Sequence, residues 1–176
     1  YTLGNLAAYT GRTAAELQAY YDDLCAAINE HGETELSFTD ADTAYRFAHD
    51  ALEMSRIYVS DEDRYAMQML SELLKLALKK NVLSAEELYL TEETVIEKLM
   101  SDAEAAGLWR GYCALHEIVT DREAFPDGAW RVIGAKKRRI DPFVRGEGRL
   151  SEINARFAGE IKNFMDMPLD RAICAR

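Results

Sequence analysis

The sequence predicts a mainly α protein of the α+β class. It should form a helical body of six or seven helices with a small antiparallel C-terminal sheet. Three observations predict this. Apolar residues recur every three or four positions through the first two thirds of the chain. Several of these stripes open on a Ser, Thr or Asp able to cap a helix. All three prolines, Pro126, Pro142 and Pro168, fall in the last third, where segments rich in Ile, Val and Trp replace the helical period.

Taken in order, Thr13-Ala-Ala-Glu16 is a capping box, since Thr13 can cap and Glu16 can reach back. Leu17, Tyr20, Tyr21, Leu24, Cys25 and Ile28 follow at helical spacing, so the expected helix runs on to a stop at Gly32. A second helix is expected from about Asp42 to Tyr58, with Ala44, Phe47, Ala51, Met54 and Tyr58 on one face. Ser60 should cap a third, striped by Tyr65, Met69, Leu70, Leu73, Leu74, Ala77 and Leu78. Ser84 and Glu87 form another capping box, Thr91 opens the next helix, and Asp102 starts one ending near Gly111. Residues 113–120 and 130–140 read as extended, and Phe125-Pro-Asp-Gly128 between them reads as the turn of a hairpin. Ser151 should cap a last long helix through Ile153, Phe157, Ile161 and Phe164, stopped by Pro168, and residues 170–176 should close as a strand. The division expected is a helical region over 1–111 and a hairpin, helix and strand extension over 112–176.

At 48% hydrophobic residues, 176 residues can bury a substantial core. A formal charge of −10 excludes general nucleic-acid binding, which needs an excess of cations. The three cysteines are far apart and form no C-x-x-C pair, so reduced cytosolic thiols are expected. No apolar run reaches the about eighteen residues of a membrane span, and no signal peptide is evident. The chain opens on Tyr1 inside an ordered-looking stretch, which reads as a fragment of something longer.

His49-Asp50 is the first candidate for chemistry, because a His-Asp doublet on a helix can supply two metal ligands. A hard cation wants more ligands than two, and His31 is the available third. The plainer reading pairs Asp50 with Arg46 one turn away and places His31 at a helix end, where a cation suits the dipole. His116 has no nucleophile motif around it. Gly146-Glu147-Gly148 is too short for a phosphate loop. The acidic pairs Asp22-Asp23, Glu86-Glu87 and Glu92-Glu93 suit solvated helix surfaces.

The charge distribution is more informative. Residues 131–149 carry seven cations and two acids, a local +5, while the remaining 14 cations and 29 acids leave −15 elsewhere. Lys136, Lys137, Arg138 and Arg139 are consecutive. As an edge strand they would guard the sheet against extension. As an anion site, Lys136 and Arg138 would share one face and Lys137 and Arg139 the other, with Arg offering a bidentate fork to phosphate.

Residues 44–99 and the pieces Trp130–Val144, Gly148–Met165 and Asp170–Arg176 resemble, in order and character, the region after the catalytic core of bacterial HD-domain phosphohydrolases of the deoxynucleoside triphosphate triphosphohydrolase type. In that family the metal-binding His, His-Asp and Asp lie upstream, so the resemblance implies that this chain lacks the catalytic centre. It implies a parent enzyme using Mn, Mg or Fe, a partner in its own N-terminal catalytic domain, and a homo-oligomer in the cytoplasm. It further implies an effector nucleotide whose phosphates meet Lys136 or Lys137, and it places Arg56 and Tyr65 near substrate-approaching positions. The chain departs from the family pattern at Ser60-Asp61-Glu62, where a His is common. Two other readings stand beside this one. The first is a stand-alone helical interaction module whose basic strip meets an acidic protein. The second is an unusual metal hydrolase using His31, His49 and Asp50.

Overall fold

The computed structural model describes residues 2–121, 123 and 125–176. In chain order its elements are α1 (Thr2–Thr10), α2 (Ala14–Asp22), β1 (Leu24–Ile28), β2 (Thr34–Phe38), α3 (Ala41–Ile57), α4 (Asp61–Lys79), a 3-10 turn (Glu86–Tyr89), α5 (Glu92–Met100), α6 (Ala103–Cys113), β3 (Ile118–Val119), β4 (Arg131–Val132), β5 (Phe143–Val144), β6 (Gly148–Arg149), α7 (Leu150–Ile153), α8 (Ala155–Asp166) and β7 (Ala172–Ala175). The α+β class is as expected: among the described residues there are eight α-helices, with a mixed four-strand sheet and a small antiparallel three-strand sheet. The chain divides into two compact units, each assembled from separate stretches: 1–59 with 136–168, and 60–135 with 169–176.

The first unit opens as the caps dictate. Thr13 accepts from the Glu16 amide while Glu16 reaches back to the Thr13 amide, which completes the box before α2. The helix then stops at Asp22, and the expected continuation to Gly32 is overturned. Leu24–Ile28 is a strand paired antiparallel with Thr34–Phe38, in the register Leu24↔Phe38, Ala26↔Leu36 and Ile28↔Thr34. Turn chemistry decides this. The Asn29 side-chain oxygen accepts from the amides of His31 (3.0 Å) and Glu33 (2.9 Å), and Gly32 takes φ +77, which a side chain would resist. His31 therefore sits in a hairpin turn and not at a helix end. β2 adds β5 in parallel through Phe38↔Val144, and β5 pairs with β6, giving the order β1-β2-β5-β6.

Helix α3 starts from Asp40, whose side chain caps the Thr43 amide. It buries Ala44, Phe47, Ala48, Ala51 and Met54 at helical spacing, and Phe143, Val144, Leu150, Phe157 and Phe164 are also buried in this unit. The expected single C-terminal helix is broken. Ser151 does not cap it; Asn154 does, in extended conformation between α7 and α8, accepting from the Phe157 amide. A capping side chain in the middle of an apolar stripe stops one helix and starts the next.

In the second unit Ser60 caps α4, Ser84 and Glu87 exchange the capping-box bonds over the 3-10 turn, and Thr91 and Asp102 cap α5 and α6. The core is Leu73, Ala77, Leu83, Leu99 and Ala105, covered by Leu70, Leu74, Val95 and Trp109. The expected hairpin of 113–120 with 130–140 does not form. Cys113 still belongs to α6, only two residues of each segment are strand, and β7 lies between them in the order β3-β7-β4. Ile173 and Cys174 are buried and claim the central position, a long-range partner that local sequence does not reveal. The turn itself is present: the Gly128 amide and the Trp130 indole N–H both donate to the Phe125 carbonyl, at 3.2 and 2.7 Å. Among the described residues, no helix is long and apolar enough to cross a membrane.

Candidate functional site

Residues 136–142 form an irregular strap in the first unit and not the expected strand, so the proposed division of its cations between two strand faces lapses. The strap is tied down at both ends. Lys137 Nζ donates to the carbonyl of Met165 (2.5 Å) and to that of Met167, at the C-terminal end of α8. Those carbonyls have no partner within the helix and carry the negative end of its dipole, so an ammonium there is doubly favoured. At the other end Asp141 accepts from the Ser151 amide (3.0 Å) and hydroxyl (2.6 Å), and the Pro142 carbonyl accepts from the Leu150 amide (2.9 Å).

Arg138 and Arg139 stand between these anchors, and Lys136 immediately precedes the first. All three are exposed, and among the described residues none has an ion-pair partner. Two other cations of the basic segment, Arg149 and Arg131, differ. Arg149 holds Glu35 through two bonds (2.6 and 2.8 Å) and Glu30 through a third (2.8 Å). Those bonds hold both carboxyls below their usual range, with the Arg149 hydrogen bonds the largest cause. Arg131, in the other unit, holds Glu72 at 2.6 Å. Lys137 aside, four side chains of the basic segment thus stand, among the described residues, without an ion-pair partner: Lys136, Arg138 and Arg139 on the strap, and Arg145 beyond it.

The other sequence candidates are engaged. Arg56 bonds Glu53 (3.0 Å) and lies 5.6 Å from the centre of the Phe164 ring, near the helix end that Lys137 caps. Tyr65 belongs to the second unit, where it is buried with the Arg131 guanidinium 5.8 Å from its ring centre. His49 and Asp50 turn to different partners. His49 Nδ1 lies 2.9 Å from Glu160 on α8, and Glu160 also accepts from Tyr45 (2.9 Å) and Arg156 (3.1 Å). Burial opposes ionisation of Glu160, but the bonds from His49 and Tyr45 outweigh it and keep the carboxyl below its ordinary range. Asp50, only 4% exposed, takes two bonds from Arg12 (2.8 and 3.1 Å) and one from Tyr20 (2.8 Å). The expected Asp50–Arg46 pair is replaced by this link from the α2 region to α3, because burial demands several donors on one carboxylate. Burial and then the Asp50 bond push the Tyr20 phenol up to about 12. Among the described residues, no group of three or more His, Cys, Asp or Glu side chains is gathered to hold a metal ion.

Sequence reasoning missed the Glu160 cluster and the capping role of Lys137. The Arg156–Glu160 spacing of one turn was a visible signal for the first; nothing local pointed to the second. The strap offers two guanidiniums and one ammonium on anchored backbone, without a nucleophile or an acid–base partner. Such groups can bind an anion through charge-assisted hydrogen bonds. No family model, no curated protein and no solved structure matches this chain.

Proposed function

We propose that the chain is a non-catalytic portion of a cytoplasmic HD-superfamily nucleotide phosphohydrolase, used for oligomer assembly and for binding an effector nucleotide. In this reading the divalent metal (Mn, Mg or Fe) and the hydrolysis of nucleoside triphosphates belong to a catalytic domain elsewhere in the parent enzyme. The resemblance of residues 44–99 and of the C-terminal pieces supports the parentage. One observation carries the binding role: three cations without counter-ions stand on an anchored strap in a chain of charge −10. Holding them together costs self-repulsion that a polyphosphate would relieve.

Calorimetric titration with dGTP and with ATP tests the reading. Saturable binding is expected, weakened by roughly 1–3 kcal/mol in each of Lys136→Ala, Arg138→Ala and Arg139→Ala, the worth of a lost charge-assisted bond. Lys137→Ala should act through the α8 end that it caps, lowering stability more than affinity. Equal affinity in all variants, or no binding in any, would sink the nucleotide role. Binding of a polyanionic protein in place of nucleotides would select the interaction-module reading.

A further inference from the structure

Leu70, Leu74, Leu88, Leu90, Ile96 and Trp109 line a groove of about 330 Å³ in the second unit, where α4, α5, α6 and the 3-10 turn meet. Leu70, Leu74 and Trp109 pack inward on the core of this unit, and the Trp109 and Tyr112 rings stack with centres 5.5 Å apart. The wall made by the turn is poorly covered. Leu88 is 39% and Leu90 48% exposed, and Tyr89 between them is 91% exposed. An apolar trough between helices, bordered by exposed apolar side chains, is the kind of surface that receives another helix.

The charge around this groove has one sign. Residues 81–109 carry seven acids and one cation, a net −6, while the remaining 20 cations and 24 acids of the chain leave −4. Lys98 is already held by Glu87 (2.9 Å), and Lys80 serves both Asp102 (2.6 Å) and Glu104 (3.2 Å). Glu92, Glu93 and Glu97 are left, among the described residues, without an ion-pair partner, and Glu92 itself lines the groove. Lys75, Lys79 and Arg110, exposed on α4 and α6, do not line it. The helix dipole favours acids at 92 and 93, in the first turn of α5. It does not account for Glu97, which follows Glu93 by one turn. That like-charged pair costs α5 stability by itself. By helical spacing the pair flanks Ile96 on the same side of α5 as the exposed Met100.

We propose that this groove docks an amphipathic helix of a partner protein, apolar on one face and carrying Lys or Arg beside that face. Its apolar residues fill the trough at the i, i+3, i+4 and i+7 spacing of a docked helix. Its cations, one turn apart, meet Glu93 and Glu97, which are themselves about 6 Å apart along α5. Charge complementarity selects this occupant. An acidic helix would set like charges against three uncompensated carboxylates. A second copy of the chain, at −10, brings the wrong sign over most of its surface, and its cationic strap is irregular chain and not a helix. The groove belongs to the second unit and the strap to the first, so this inference stands apart from nucleotide binding.

Three labelled synthetic peptides test this against the whole chain by fluorescence anisotropy. The first is a Leu/Lys helix with its leucines on one face. The second is a scrambled peptide of the same composition, and the third is the first with Glu in place of Lys. Saturable binding is expected for the first, weakening as salt rises. The other two should bind at least about tenfold more weakly. Glu93→Lys combined with Glu97→Lys, and separately Leu90→Asp, should each lower affinity for the first peptide by at least about tenfold. Glu152→Lys, in the first unit, should leave it unchanged. All four positions are exposed, so the variants should fold, and circular dichroism checks it. The proposal is overturned by absence of binding, by equal binding of the scrambled peptide, or by indifference to the double reversal. Self-association that Leu90→Asp abolishes would also overturn it, by assigning the groove to a second copy.

Discussion

Asp50 and the strap treat charge in opposite ways within the same unit. Asp50 is buried, and three hydrogen bonds from Arg12 and Tyr20 satisfy its carboxylate. Lys136, Arg138 and Arg139 are exposed, adjacent and uncompensated. The first arrangement holds elements together. The second adds little to the fold and leaves its charge available to something else. The buried charge of Asp50 is paired across distant parts of the chain, whereas the strap cations, among the described residues, have no acid to pair with.

Substitutions should separate the two. Asp50→Ala leaves the buried Tyr20 hydroxyl without its acceptor and Arg12 with Glu16 alone, and should cost about 3 kcal/mol in urea unfolding. Asp50→Asn keeps the shape and an acceptor and should cost distinctly less. Arg149→Ala comes next. It removes the fork onto Glu35 and the bond to Glu30, and solvent screening should limit the loss to about 1 kcal/mol.

The pH dependence sharpens the same contrast. Folding lowers the Glu30 and Glu35 carboxyls from 4.5, so their contribution is present above that pH and is lost as pH falls below it. The stability gap between wild type and Arg149→Ala should therefore close during acid titration. Tyr20 is raised from 10 to about 12, so its contribution is present below pH 10 and is lost as pH climbs toward 12. Tyr20→Phe should flatten that alkaline limb. The smallest effect belongs to the strap. Replacing Lys136, Arg138 and Arg139 by Ala together should change unfolding stability by no more than about 0.5 kcal/mol. A large loss would mean that those cations are structural after all.

Helices α3 to α6 were legible because Ser60, Thr91 and Asp102 announce their starts and the apolar stripes that follow have one period. The β1–β2 hairpin was not, because Leu24, Cys25 and Ile28 extend the stripe of Leu17, Tyr20 and Tyr21 without a break. The contrary signal was the turn around Asn29 and Gly32, followed by Thr34. The β3-β7-β4 order was hidden for a different reason: its central strand is remote in sequence from both neighbours. Of the strap, the charge was legible and the anchoring was not. Nothing near Lys137 says that its amine would meet the end of α8, or that its neighbours would be left without acids.

The order of synthesis gives the interleaved units one further consequence. A ribosome makes residues 1–59 of the first unit, then most of the second, then returns to the first at 136–168, and only then supplies β7. β2 waits for β5 while α4, α5 and α6 emerge, and β3 and β4 wait for β7 while α8 emerges. Neither unit can complete its sheet before the other is largely made. A nascent chain must keep two half-built sheets apart in the meantime, so the β2 edge that β5 will cover stays open while the whole second helical stretch is made.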